Sequence, residues 1–132
     1  MKKIVTIFVL LTLIIGMMGC TSAEEKEIEY KVLTEAEQTE LLSDAVEEIR
    51  ATGGYKILVD ENSKYAIIAL GERLTGGYNI EIDQVKEKDE QILIQYKEIK
   101  PKENEMVTQA LTYPYVVLKI ESKLGIQVTE LQ

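Results

Sequence analysis

KYAIIALGERLTGGYNIEID, residues 64–83, places an apolar run, a glycine-rich connection and an alternating strand in direct succession. Ala66, Ile67, Ile68, Ala69 and Leu70 are apolar at both phases of a period-2 repeat, so Lys64 to Leu70 reads as a central strand covered on both faces. Tyr78, Ile80 and Ile82 alternate with Asn79, Glu81 and Asp83, the pattern of a strand with one buried face. Between them, GERLTGG at 71–77 holds three glycines, which admit positive φ, a bulge or a close backbone approach. It is not a phosphate loop, because no GK[ST] follows. Arg73, one of two arginines beside Arg50, either pairs with a carboxylate or anchors a partner.

Working outward, the same periodicities continue. Tyr55, Ile57 and Val59 alternate with Lys56, Leu58 and Asp60, and a turn rich in self-bonding side chains follows at Asp60–Ser63. Ile92, Ile94 and Tyr96 give another half-buried strand, with the charged run KEKDE at 86–90 read as the hairpin loop before it. Residues 101–109 are polar and irregular. Tyr113 to Ile120 is a strong strand in which Pro114 demands an edge or a strand start, and Ile126, Val128 and Leu131 allow a short final strand. Upstream, Thr34 and Glu37 have capping-box spacing, and Leu41, Leu42, Ala45, Val46 and Ile49 make one apolar stripe. The spacing predicts a helix over 34–52, ended by Gly53 and Gly54, with the stripe serving the core or a partner's groove. The fold class expected is α+β: one N-terminal helix packed on a mainly antiparallel sheet of five to six strands. TGGYKILVD at 52–60 echoes TGGYNIEID at 75–83, but the likeness stops at both flanks, so convergent turn-and-strand chemistry explains it better than duplication.

Cys20 is the only cysteine, and it follows MKKIVTIFVLLTLIIGMMG. Lys2 and Lys3 are a positive start, Ile4 to Ile15 an apolar run too short for a lasting span, and Gly19 a small residue before the cysteine. The segment resembles a bacterial lipoprotein signal peptide, with Met17 where such signals usually carry leucine. That resemblance implies removal of residues 1–19 and lipidation of Cys20. The alternative is a plain secretory signal, which would leave an unpaired thiol on an exported protein. Residues 20–33 then read as the lipidated cysteine and an acidic tether, and 34–132 as a single domain. The expected location is outside the cytoplasm, held on a bacterial membrane.

Composition narrows the chemistry. Loss of residues 1–19 leaves 13 basic against 23 acidic residues, a net charge of −10, which repels phosphate backbones and argues against nucleic acid as a partner. The chain has no histidine and no tryptophan. Histidine-based acid–base chemistry, cysteine–histidine catalysis and ordinary zinc sites are therefore out of reach, and neither an enzyme nor a cofactor is expected. Acidic clusters at Asp60, Glu61 and Asn62, and at Asp83, Glu87, Asp89 and Glu90, do not fit the twelve-residue calcium loop and read as solvated charge.

GERLTGGYNIEI, taken with LTYPY at 111–115 and the apolar strand after it, resembles the C-terminal domain of PrcB-type protease complex subunits over residues 64–121. Gly71, Arg73, Thr75 to Tyr78 and Ile80 carry the first motif, then Pro101, then Thr112, Pro114 and Tyr115 the second. The resemblance implies a mostly β, non-catalytic exported module that binds and stabilises a partner protease. Arg73, Thr75, Gly76, Gly77, Tyr78 and Tyr115 are the candidate partner-binding residues, alongside Cys20 for lipidation. Two modes of contact stand open: a compact hot spot on the 71–77 loop with Tyr78, or strand addition at an exposed edge, with Tyr113–Ile120 as the candidate. Seven tyrosines keep a second class in play, a cell-wall or small-ligand-binding lipoprotein domain.

Overall fold

The computed structural model describes residues 24–132; the apolar N-terminal run read as a signal peptide, and Cys20 with it, lie outside the described residues. Eight strands and one α-helix are found among them: β1 (Lys26–Glu27), β2 (Lys31–Val32), α1 (Glu40–Arg50), β3 (Gly54–Val59), β4 (Lys64–Ala69), β5 (Asn79–Lys88), β6 (Gln91–Ile99), β7 (Tyr115–Ile120) and β8 (Gly125–Glu130). They form two four-stranded sheets, ordered β1-β5-β6-β8 and β2-β7-β4-β3. All pairings are antiparallel except β6 with β8. The α+β class holds, but the single sheet of five to six strands is corrected to two sheets. Alternation reports which face of a strand is buried, and is silent on which sheet the strand joins.

Three layers result. The helix covers one face of the β2-β7-β4-β3 sheet, and the second sheet covers the other. β4 explains why its sequence is apolar at both phases. Ile67 joins Leu42, Ala45, Val46 and Val117 beneath the helix. Ala66 and Ile68 face Val85, Ile92 and Ile94 between the sheets. All these side chains are buried, and burial of a residue the size of isoleucine or leucine contributes about 1.5–3 kcal/mol.

Three local expectations are corrected. The continuous helix over 34–52 is instead a 3-10 turn at Glu35–Glu37 followed by α1. Glu37 does accept from the Thr34 backbone N–H at 2.9 Å, as a capping box would have it, but Gln38 and Thr39 then take extended backbone. Thr39 becomes the true cap, its hydroxyl accepting from the Leu42 N–H. The charged run 86–90 is strand, not loop, up to Lys88. A bulge between Ile82 and Gln84 shifts the phase, so Val85 turns inward and the lysines beyond it turn toward the surface, where Lys86 and Lys88 pair with Glu25. Residues 24–33, read as tether, contribute β1 and β2, and the Ile28 N–H donates to the Val85 carbonyl at 3.0 Å.

The β5–β6 link is therefore only two residues, Asp89 and Glu90, at φ 51° and 60°. Both central residues of a type I′ hairpin turn take positive φ, which glycine adopts at little cost and glutamate does not. Glu90→Gly should raise stability by about 0.5–1 kcal/mol, read as a higher melting temperature with an unchanged fold. A lower melting temperature would refute the turn assignment.

Candidate functional site

The two motifs, some forty residues apart in the chain, are brought to one end of the molecule. β4 ends there, β5 begins, β6 ends and β7 begins, because each antiparallel pairing returns the chain to the same pole. Gly71 fits backbone against backbone over Thr52 and Gly53, where a Cβ on it would come within 3.2 Å of the Gly53 nitrogen. Arg73 and Thr112 then exchange a pair of backbone hydrogen bonds of 2.8 and 2.9 Å. The Thr112 hydroxyl donates to the Thr75 carbonyl at 2.7 Å, and the Gly76 N–H to the Thr108 carbonyl at 2.8 Å. Gly77, at φ +87°, packs against Val107 and Pro101. The polar, irregular 101–112 segment is thus held in place by the T-G-G segment it faces.

Side-chain chemistry reinforces the clasp. Arg73 binds Glu98 through both guanidinium arms, Nε at 3.1 Å and Nη2 at 2.9 Å. The pair is only 25% and 14% exposed. Hydrogen bonding from Arg73 holds the Glu98 carboxyl below its ordinary range, against the opposing push of burial. The Arg73 guanidinium also lies 5.6 Å from the Tyr78 ring centre, a cation–π distance. Between the two choices that sequence leaves for Arg73, the structure supplies the carboxylate. The helix end joins in: Arg50 sits 5.6 Å from the Tyr113 ring centre, and the Tyr113 hydroxyl donates to Glu72 at 3.1 Å. That bond to Glu72 raises the Tyr113 phenol above its usual range.

Tyr78, Asn79, Thr112, Tyr113, Pro114 and Tyr115 line one shallow hollow of about 350 Å³. Of the sequence candidates, Tyr78 and Tyr115 meet here. Arg73, Thr75, Gly76 and Gly77 do not line it; their contacts hold the loops. Pro114 stands just before β7, and its carbonyl accepts from the Leu70 N–H at 2.9 Å. The strand-addition mode at Tyr113–Ile120 is corrected: β7 is internal, paired along its whole length with β4 and over Leu118–Lys119 with β2. A strand so apolar belongs inside a sheet, and Pro114 answers its constraint by preceding the strand.

Sequence reasoning missed Leu74, Leu111 and Met106, which are 77%, 53% and 100% exposed on this pole. Leu74 and Leu111 flank the Arg73–Thr112 bridge. No periodicity marks them, since they sit in loops. Glu98 was missed too, although it left a signal. The alternation that turns Ile92, Ile94 and Tyr96 inward reaches Glu98 next, a carboxylate at an inward phase that calls for a buried cation.

These two motifs define a β-rich module whose joined loops form one apolar-edged surface. Residues 64–121 match the family described as PrcB C-terminal, so the resemblance carried by the motifs holds over that segment. The chain is also 32% identical over 79 residues to an uncharacterized protein of Methanocaldococcus jannaschii, covering 60% of this chain and 48% of that one. It thus spans about half the length of the curated relative it matches. No solved structure matches the chain.

Proposed function

We propose that the protein is an exported, lipid-anchored and non-catalytic accessory module that binds a partner protease through its loop pole. The observation that carries this reading is the convergence of the two PrcB-type motifs on one hollow, with exposed Leu74 and Leu111 beside it. Tyrosines that present a flat apolar face with a polar tip, next to exposed leucines, are the anchor chemistry of protein interfaces. Arg73, Thr75, Gly76 and Gly77 serve the contact by fixing the loops, and Tyr78 and Tyr115 meet the partner. Lipid on Cys20 keeps the module at the membrane where exported proteins pass.

The test is crosslinking in intact cells, with mass spectrometry of what co-purifies. Leu74 and Leu111 lie in loops outside the core clusters, 77% and 53% exposed, so the double replacement by aspartate should leave the fold in place, with an unchanged circular dichroism spectrum as the control. One exported protease, enriched with the parent and at least tenfold weaker with the double variant, is the expected result, because the loss of about 1.4 kcal/mol already costs tenfold. Equal recovery by both chains would overturn the surface, and recovery of wall fragments alone would overturn the partner class. In the same cells, Cys20→Ala should shift the protein from the membrane to the soluble fraction; retention after a carbonate wash would refute the anchor.

A further inference from the structure

The two sides of the sandwich are treated differently. On one side, β1 and β2 are only two residues long and each carries a lysine, and residues 28–30 cross between the sheets. Glu25 adds ion pairs with Lys86 and Lys88. Short strands and lysines are how natural sheets blunt an edge. On the other side, β3 and β8 are outermost, each six residues long. β3 pairs with β4 along its full length and has no strand on its other side among the described residues. Its sequence, GYKILV, carries one charge, and Lys56 is already bound to Glu48 of the helix. Tyr55 and Val59 stand 52% and 71% exposed beside this edge.

The geometry points to a second copy of this chain as the occupant of the β3 edge, pairing β3 to β3 antiparallel about Ile57. Three features favour a copy over an unrelated strand. The two exposed apolar residues are equidistant from Ile57, so a two-fold axis there sets each Tyr55 opposite the other copy's Val59, an aromatic against a β-branched side chain. The same register sets Lys56 opposite Leu58 and Asp60 opposite Gly54, so no like charges meet at the seam of a chain with net charge −8. The opposite edge is blunted, so the assembly closes at two copies rather than growing. The product is one continuous eight-stranded sheet, formed without using the Tyr78 hollow.

The register gives a sharp test in intact cells. Opposed Cα atoms in antiparallel strands lie about 4.5–5.5 Å apart, within disulfide reach. In this register, position 55 of one copy is displaced by four residues, roughly 14 Å, from position 55 of the other. Full-length Tyr55→Cys and Val59→Cys chains co-expressed with different tags should therefore give a mixed disulfide dimer under mild oxidation. Either chain alone should not, and each also controls for Cys20. A second pair of variants reads charge at the seam. Tyr55→Lys/Val59→Lys should run as a monomer in detergent, while Tyr55→Lys/Val59→Glu, which sets opposite charges face to face, should recover the dimer with an unchanged melting temperature. A mixed pair that fails to link while both chains melt as the parent does overturns the proposal. So does a link from position 55 or 59 to another polypeptide, which would give the edge to a different protein. Neither result touches partner capture at the loop pole, which the Leu74 and Leu111 variants report separately.

Discussion

Gly77→Ala is expected to lower stability by about 2–4 kcal/mol and to shift the melting temperature down by on the order of 10 °C, whereas Gly76→Ala should change it little. The difference is geometric. At Gly77 the backbone sits at φ +87°, a region costly for any L side chain, and an added Cβ would fall 2.7 Å from the Val107 Cγ1 and 2.8 Å from the Pro101 Cβ. Neither neighbour yields easily, since Val107 is β-branched and stiff at χ1 and Pro101 is a ring fixed to its own backbone. The loop itself would have to retreat. That strains the Gly76–Thr108 and Thr112–Thr75 hydrogen bonds and opens the surface on which both motifs meet. At Gly76 the nearest atom is the Thr108 Cβ at 3.4 Å, ordinary contact. Thermal melts of the two variants check this, together with hydrogen exchange over 101–112, which should speed up in Gly77→Ala alone. Equal melting temperatures would mean that the T-G-G segment does not hold the loop.

The parts of the fold that sequence revealed are those where burial follows a strict period. β4 is doubly covered, as Ala66 to Leu70 demand, and β6 and β8 keep their inward faces. The pattern failed wherever a single residue broke the phase. Asp83 bulges, so the alternation read through Ile82 could not be carried to Val85, and a charged strand looked like a loop. Thr39 restarts the helix after an apparently good start at Thr34. The division into two sheets left no local trace, because strand partners are chosen by contacts far apart in the chain. The candidate site was legible in its motif residues and opaque in its partners. Arg73 was visible, and Glu98, which determines what Arg73 does, lies 25 residues on, in β6. The exposed leucines were invisible for a plainer reason: sequence cannot tell a buried loop leucine from an exposed one.

Arg73→Ala should cost about 2 kcal/mol, and the loss should depend on pH in a way that fixes its cause. Removing the guanidinium leaves the Glu98 carboxylate, only 14% exposed, without its bidentate partner, beside the loss of the Tyr78 stacking contact. A fully buried pair would cost more; the partial exposure of both groups screens it. In the folded parent, Arg73 holds the Glu98 pKa below the ordinary 4.5. A carboxyl depressed on folding binds fewer protons folded than unfolded over that window, so stability rises with pH there. Its contribution is complete above about pH 4.5 and is lost as pH falls through the folded value. Glu98→Gln and Arg73→Ala should therefore both flatten the acid limb of the stability curve, and their difference from the parent should shrink toward low pH. Arg73→Met with Glu98→Leu should regain most of the lost stability at neutral pH, since two apolar groups of similar shape leave no charge unmet. Denaturant unfolding between pH 3 and 7 measures all four chains. A constant deficit for Arg73→Ala across that range would mean that Arg73 acts through packing on Tyr78 rather than through its carboxylate, and the loop pole would then be held by its backbone bonds and that one stack.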